Sequence, residues 1–224
     1  MADTIITVRG EFSAFYPAER ATLWANVAFD GPERAAVLAQ ATSVAASVRD
    51  SISALHNSTE GPVTWWSSDS IRIWSDRPWS QTGEQLALVF HAAIGFRIKF
   101  SDFSALVAWV ESTTQLNGVS IDSIDWALTE ATRNAVTTEV RSRSVKDAVT
   151  KATVFAQSIG LGSVTAIALA DPGMLGDQGN GVSGGGAEYR SMKAMADAGS
   201  SGQLQLKPED IEVSSVVDAR FTAR

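Results

Sequence analysis

The chain has 224 residues, of which 45% are hydrophobic and 19% charged, and its mean hydropathy is +0.02, as is typical of a soluble globular protein. Its net charge of −7 argues against nucleic acid and anionic membrane surfaces as partners, because both are bound through clusters of basic side chains. The absence of cysteine excludes disulfides, thiolate metal sites and cysteine nucleophiles.

The N-terminus lacks the basic segment and the long apolar run of a signal peptide, so we expect a cytoplasmic protein unless a leader has been removed. Residues 152–170 carry no charge over about the length that a membrane-spanning helix needs. Gln157, Gly160 and Gly162 interrupt this run, and we interpret it as the end of a helix, a turn and a strand. No transmembrane segment is therefore expected.

The first third of the chain is predicted to form two strands and a helix. Residues 4–15 and 21–29 are rich in β-branched and aromatic side chains, and the turn-like residues 16–19 between them predict a hairpin. A helix is predicted to begin after residues 30–33, which place a proline near its first position. Its apolar stripe recurs at spacings of three and four, as Leu38, Ala41, Ala45, Val48, Ile52 and Leu55.

The middle of the chain is predicted to add three strands and a helix. Residues 63–76 are tryptophan-rich and alternate in polarity, and residues 86–100 have an apolar side chain at every second position, so both segments predict strands. Asp102 is predicted to cap a helix that ends near residue 116. Residues 119–128 alternate again and predict a further strand.

The last third is predicted to hold a long helix and two strands. The helix is expected over residues 133–159, and its second half would face the sheet with Val145, Ala148, Ala152, Phe155 and Ile159. A strand over residues 164–169 follows. Residues 172–207 are rich in glycine and serine and are predicted to be a flexible insertion. Residues 208–224 alternate strictly, so we expect a final strand that returns to the sheet.

The predicted element order is β-β-α-β-β-α-β-α-β-β, without a strict βαβ repeat. This order indicates an α+β fold with a mostly antiparallel sheet and long helices packed on one face. We expect a single domain over residues 1–224.

Several short segments carry a family resemblance through their order along the chain. They are ITVRGE at residues 6–11 with PAERA at 17–21, DWAL at 125–128, the alanine-rich stretch 148–161, and PEDIEVS at 208–214. Together they resemble the opening hairpin, middle strand, closing helix and terminal strand of the SIMPL-domain family, a mainly bacterial group. The opening segment departs from the family pattern, because Phe12 stands where a second glycine is usual.

This resemblance implies a function class rather than a reaction. The family has no established enzymatic activity or cofactor, some secreted members resemble ring- or channel-like homo-oligomers, and others are linked to stress or signalling. We therefore expect a non-enzymatic binding or assembly protein that forms homo-oligomers, has a stress- or envelope-related role and carries no cofactor.

No catalytic or metal site is predicted from the residues. His56 and His91 are the only histidines and fall on different predicted elements, and a site demands groups that converge. The carboxylates Asp122, Asp125 and Glu130 are close in sequence. A separation of three residues puts Asp122 and Asp125 on opposite faces of a strand, which disfavours a paired acid and base.

Four tryptophans stand out, namely Trp65, Trp66, Trp74 and Trp79. Adjacent strand residues point to opposite faces, so at least one of Trp65 and Trp66 is expected outside the core. Three interpretations remain open: core residues, an aromatic interface between protein partners, and a pocket that stacks a small ligand such as a sugar or nucleobase. The functional alternatives are accordingly a small-ligand carrier with a tryptophan-rich pocket and, with less support, a carboxylate hydrolase.

Overall fold

The computed structural model describes residues 3–79, 85–175, 189–190 and 206–224. Its helices and strands form an α+β fold with antiparallel sheets, which confirms the predicted class. In chain order the elements are β1 Thr4–Tyr16, β2 Arg20–Gly31, α1 Arg34–Leu55, β3 Val63–Ser68, β4 Arg72–Asp76, β5 Val89–Phe100, α2 Phe103–Thr113, β6 Val119–Ala127, α3 Glu130–Ser158, β7 Val164–Ala170, β8 Tyr189–Arg190 and β9 Ile211–Ala223.

The described residues divide into two compact units, each with its own sheet. The first unit comprises the residues up to 18, residues 128–175 and 189–190, and the residues from 209 onward. The second unit comprises residues 19–127 and 206–208. The single domain expected from the sequence stays a prediction, and most of the proposed insertion over residues 172–207 lies outside the described residues.

The first unit is a four-stranded sheet with α3 packed on one face. Its central strand is β9, which pairs with β1 along its whole length, from Thr4 opposite Ala223 to Tyr16 opposite Ile211. On the other side β9 pairs with β7 and β8. The alternating pattern of β9 buries Ile211, Val213, Val217, Ala219 and Phe221. The final strand therefore returns to the sheet, as its sequence predicted.

The buried stripe of α3 is made of small residues rather than the large ones predicted for its second half. Phe155 and Ile159 are 55% and 61% exposed. The buried positions of α3 recur every four residues, at Val136, Val140, Ser144, Ala148, Ala152 and Ala156. The expectation for Phe155 and Ile159 was wrong because the buried positions recur every four residues, which places Ala156 rather than Phe155 in the stripe.

The second unit is a five-stranded sheet ordered β3-β5-β2-β6, with β4 also paired to β5. Helix α1 packs against β2 and β5 and buries Val37, Ala41, Ala45, Val48 and Ile52. Val37 thus replaces the predicted Leu38 in the stripe. Helix α2 begins as predicted, because the Asp102 carboxylate accepts hydrogen bonds from two backbone N–H groups of its first turn, at 2.8 and 3.2 Å.

Three predicted features of the strands differ from the structure. The first two strands do not form a hairpin, since β1 pairs with β9 and β2 pairs with β5 and β6. The predicted strand over residues 63–76 is two strands, β3 and β4, because Asp69 leaves the ladder and donates its N–H to the Gly95 carbonyl at 2.9 Å. Strand β5 also begins three residues later than predicted, at Val89.

Candidate functional site

The face of the five-stranded sheet that is turned away from α1, which we call the outer face, carries polar and aromatic side chains. In β2 the buried Ala25 is flanked by the half-buried Trp24 and Asn26. In β5 the exposed Arg97 precedes the buried Ile98. Because strand side chains alternate between faces, the apolar set faces α1 and the polar and aromatic set forms the outer face.

Cations lie over tryptophan rings at three places on the outer face. The charged groups are 5.7, 5.9 and 5.7 Å from the ring centroids in the pairs Arg97 over Trp24, Lys99 over Trp65 and Arg72 over Trp74. Contacts of this kind contribute about 0.5–1 kcal/mol at exposed positions. Their main effect here is to hold long, charged side chains in fixed orientations above the sheet.

The two histidines lie on separate elements, as the sequence predicted. The His91 ring on β5 stacks on Trp74, with centroids 5.1 Å apart and planes 15° apart. Its Nε2 lies 3.2 Å from the Asp76 carboxylate. His56 follows the last residue of α1, and its backbone N–H donates to the Ser53 carbonyl at 3.3 Å.

A cavity of about 490 Å³ opens on the outer face. Strand β2, the segment between β3 and β4, and strands β5 and β6 contribute its walls. Its polar and aromatic lining includes Trp24, Asn26, Asp69, Arg72, Arg97 and Asp122. The cavity thus combines an indole ring with groups that donate and groups that accept hydrogen bonds.

Gly95 shapes one wall of this cavity. A Cβ atom on residue 95 would lie 2.6 Å from Oδ2 of Asp69. The missing side chain therefore leaves the space that the Asp69 carboxylate occupies above β5. Together with the Asp69 N–H bond to the Gly95 carbonyl, this contact fixes the segment between β3 and β4 on the outer face.

The four tryptophans singled out from the sequence lie outside the cavity lining, although three of them are exposed. Trp65, Trp74 and Trp79 are 43%, 44% and 82% exposed, and Trp66 is half-buried. The tryptophan that lines the cavity is Trp24. The sequence could have indicated this residue, because the alternation of apolar and polar residues in β2 places Trp24 on the solvent face.

The carboxylates singled out from the sequence have different surroundings. Asp122 lines the cavity, whereas Asp125 is exposed on β6. Glu130 is the first residue of α3 in the first unit. In the part of the chain that the structure describes, no three side chains of the metal-binding types are grouped so that they could hold a metal ion.

Strand β1 forms one edge of the four-stranded sheet, since β9 is its strand partner among the described residues. In an antiparallel pair, alternate residues point their backbone N–H and C=O away from the partner strand. Arg9 and Glu11 are residues of this outward set, because α3 bonds their backbone groups from the open side. Ile5 and Thr7 belong to the same set.

Five residues at intervals of four begin on the side of α3 next to this edge and end directly after the helix, namely Arg143, Asp147, Lys151, Phe155 and Ile159, which we call the edge row. The first four each directly precede a buried residue of the helix, so the row follows the buried stripe along β1. Four residues along a helix advance about 6 Å, and two residues along a strand advance about 6.7 Å. One step along the edge row therefore corresponds to a step of two residues along β1.

The first three residues of the edge row are charged, and two of them form hydrogen bonds with the backbone of β1. The Arg143 guanidinium lies 5.0 Å from the centroid of the Phe12 ring. Asp147 accepts the Glu11 N–H at 2.9 Å, and Lys151 donates to the Arg9 carbonyl at 3.1 Å. Asp147 and Lys151 also form an ion pair at 2.8 Å. The Lys151 hydrogen bond, and after it the Glu11 N–H, lower the pKa of the Asp147 carboxyl.

The second part of the edge row is apolar and exposed. Continued along the row, the spacing set by Asp147 and Lys151 would bring Phe155 level with Thr7 and Ile159 level with Ile5. Ile5 is itself 61% exposed. Charged side chains of α3 therefore cover the edge of β1 at Arg9 and Glu11. The exposed apolar side chains Phe155 and Ile159 continue the row toward the beginning of β1, where Ile5 is exposed as well.

A second ion pair lies on the face of this sheet opposite α3. Arg9 Nε donates to the Asp218 carboxylate of β9 at 2.8 Å, and the Gly173 N–H donates to the same carboxylate at 2.7 Å. The Asp218 side chain is 12% exposed. The Arg9 hydrogen bond lowers the pKa of Asp218 most, while burial opposes this shift.

Comparison with known protein families shows which family the chain belongs to. The family model SIMPL, described as a protein of unknown function (DUF541), matches residues 6–221. The chain belongs to the SIMPL family. This confirms the resemblance inferred from the sequence, and the match spans residues of both units of this SIMPL protein. No curated protein matches it significantly. None of its described helices is long and apolar enough to cross a membrane.

Proposed function

We propose that this SIMPL protein is a non-enzymatic assembly protein that forms homo-oligomers by pairing the beginning of β1 with β1 of a second copy. The observation that supports this role is the change along the edge row from charged to apolar residues. The contact would place identical segments across a two-fold axis, as in most homo-oligomers.

The beginning of β1 has the properties of a strand-addition site. Ile5 and Thr7 direct backbone N–H and C=O groups to the open side, where another strand can pair with them. Phe155 and Ile159, which continue the edge row toward these groups, add exposed apolar surface. An edge with free backbone groups and apolar flanks is prone to pair with another chain.

The charged part of the edge row would end the pairing at a defined place. Asp147 and Lys151 already bond the N–H of Glu11 and the carbonyl of Arg9, so an incoming strand would find two of the four outward backbone groups of these residues occupied. Charged side chains on sheet edges commonly prevent unwanted pairing. The same row would thus favour a short, register-defined contact over indefinite association.

The test is the native mass of the full chain by light scattering at micromolar concentration, compared with two lysine variants. Phe155→Lys places a charge in the apolar part of the edge row. Val154→Lys is the matched control, because Val154 is 52% exposed and Phe155 55% exposed, yet Val154 lies outside the row. We expect a mass of two chains for the unmodified protein and for Val154→Lys, and 23.8 kDa for Phe155→Lys.

Two results would contradict the proposal. One is a single-chain mass for the unmodified protein across a wide concentration range. The other is an oligomer that Phe155→Lys leaves unchanged, because the contact would then involve another surface.

A further inference from the structure

The cavity on the outer face of the second unit supports an inference that is independent of assembly. We propose that this cavity binds a neutral saccharide of one or two rings. The inference rests on the charge balance of the lining, on the mixture of donors and acceptors, and on the position of Trp24.

The charged groups of the lining balance one another. Arg72 and Arg97 contribute two guanidinium groups, and Asp69 and Asp122 contribute two carboxylates. None of the four takes part in an ion pair within the described residues. Because the two signs balance, a ligand with a net charge of either sign would gain little net Coulomb attraction to offset the cost of its desolvation.

An apolar ligand is also a poor match. It would remove water from these four charged groups and from the Asn26 amide without replacing their hydrogen bonds, which is costly. A hydroxyl group can donate and accept. A polyhydroxylated ligand can therefore donate to Asp69 and Asp122 and accept from Arg72 and Arg97 at the same time.

Trp24 supplies the apolar surface that such a ligand requires. One face of a sugar ring presents C–H groups, which pack on the flat apolar surface of an indole. The Arg97 guanidinium lies over the Trp24 ring, 5.7 Å from its centroid, so the ligand would pack on the part of the indole that the guanidinium leaves open. The N–H groups at the rim of the guanidinium stay available for ligand oxygens.

The size of the cavity limits the ligand to a small saccharide. Binding pockets for small molecules commonly have volumes of about 300–1,000 Å³. At about 490 Å³, the cavity falls in the lower part of this range. It therefore fits one or two sugar rings better than a longer chain.

The test is a titration of the full chain by saturation-transfer NMR and calorimetry. The probes are glucose, galactose, N-acetylglucosamine, maltose and cellobiose, each at millimolar concentrations. Glutamine serves as a zwitterionic comparison and inorganic phosphate as an anionic one. We expect at least one of the saccharides to bind, and neither glutamine nor phosphate to bind.

Two variants test whether the saccharide binds in the cavity, and a third serves as the control. Trp24→Ala removes the stacking surface, and Gly95→Ala displaces the Asp69 carboxylate, which is the group nearest to the added Cβ atom. Each should weaken saccharide binding by about tenfold or more, which corresponds to the loss of one good contact. Trp65→Ala is the control, since Trp65 shares the outer face but lies outside the cavity lining, and it should leave the affinity unchanged.

Circular dichroism melting curves will show whether the variants fold. If Trp24→Ala does not fold, Gly95→Ala decides the test, because the added methyl group meets the end of a flexible side chain rather than backbone. The proposal is overturned if none of the five saccharides binds, if glutamine or phosphate binds instead, or if Trp65→Ala weakens binding as much as the cavity variants do. Unchanged affinity in Gly95→Ala would also overturn it.

Discussion

Gly10 of β1 lies directly beneath the backbone of α3 at Ser144. A Cβ atom on residue 10 would overlap the Ser144 carbonyl oxygen and lie 2.7 Å from Cβ of Ala148. The contact explains why the buried stripe of α3 consists of small residues at this level. It also brings the Ser144 hydroxyl within 3.3 Å of the Ser215 hydroxyl of β9.

Substituting Gly10 by alanine should therefore destabilise the protein. Because the obstructing atoms include helix backbone, the overlap can be relieved only by moving α3, and overpacking of this kind costs about 1–3 kcal/mol or more. Urea unfolding monitored by circular dichroism measures the loss. Gly162→Ala is the control, since its Cβ would come no closer than 3.8 Å to another group. Equal stability of the two variants would show that α3 does not approach β1 so closely.

Replacing Asp218 by asparagine should lower stability at neutral pH and weaken its dependence on acid. The pKa of Asp218 is lowered in the folded state from an ordinary value of 3.8, so its contribution is present above that value and is lost as the pH falls through the folded pKa. A charged hydrogen bond of this kind contributes about 1.5–3 kcal/mol. Melting curves between pH 7 and about pH 3 check this. An unchanged curve for Asp218→Asn would contradict the role assigned to the Arg9 pair.

The backbone N–H of Glu11 should exchange slowly with solvent although it points away from β9. Its protection comes from the Asp147 carboxylate, so Asp147→Ala should accelerate exchange at this one amide. Hydrogen exchange followed by NMR resolves the effect, and the amide of Ile6, which faces β9, serves as the internal control. Slow exchange of Glu11 in the alanine variant would mean that another group bonds it.

Deleting residues 208–224 should prevent folding of the first unit. This cut removes β9, the strand that joins β1 to β7, together with the buried Phe221 and Ile211. A fully buried side chain of this size contributes about 1.5–3 kcal/mol, and a whole domain is stable by only about 5–15 kcal/mol. Deleting residues 174–186, which lie mostly outside the described residues, should shift the thermal midpoint by only a few degrees. A cooperative melt near the original midpoint after the first deletion would contradict the central position of β9.

The sequence predicted those features that depend on local periodicity. Strand β9 and the core of β5 alternate cleanly, and Asp102 caps α2 where its type and position indicated. The pairing of β1 with β9 could not be predicted in this way, because it joins residues that are 219 positions apart at its far end, Thr4 and Ala223. Local turn signals between β1 and β2 instead suggested a hairpin that does not form.

The candidate sites were harder to predict for a related reason. The edge row is visible in the sequence as a spacing of four along α3. It can be recognised as part of a sheet edge only when β1 is known to lie beside the helix, and no local pattern shows this. The close approach at Gly10 likewise accounts for Ser144 in the buried stripe, a position that no local apolar pattern indicates. Trp24 stood in an alternating strand, but its role as cavity lining depends on Asp69 and Arg97, which come from distant segments.

Concentration-dependent hydrogen exchange at the amide of Thr7 tests assembly through β1 most directly. This N–H points to the open side of β1, where no strand of the described chain pairs with it. Assembly predicts that its exchange slows as protein concentration rises, and that Phe155→Lys abolishes this protection while Val154→Lys retains it. Equally fast exchange of Thr7 at every concentration, with Glu11 still protected, would contradict assembly through this edge.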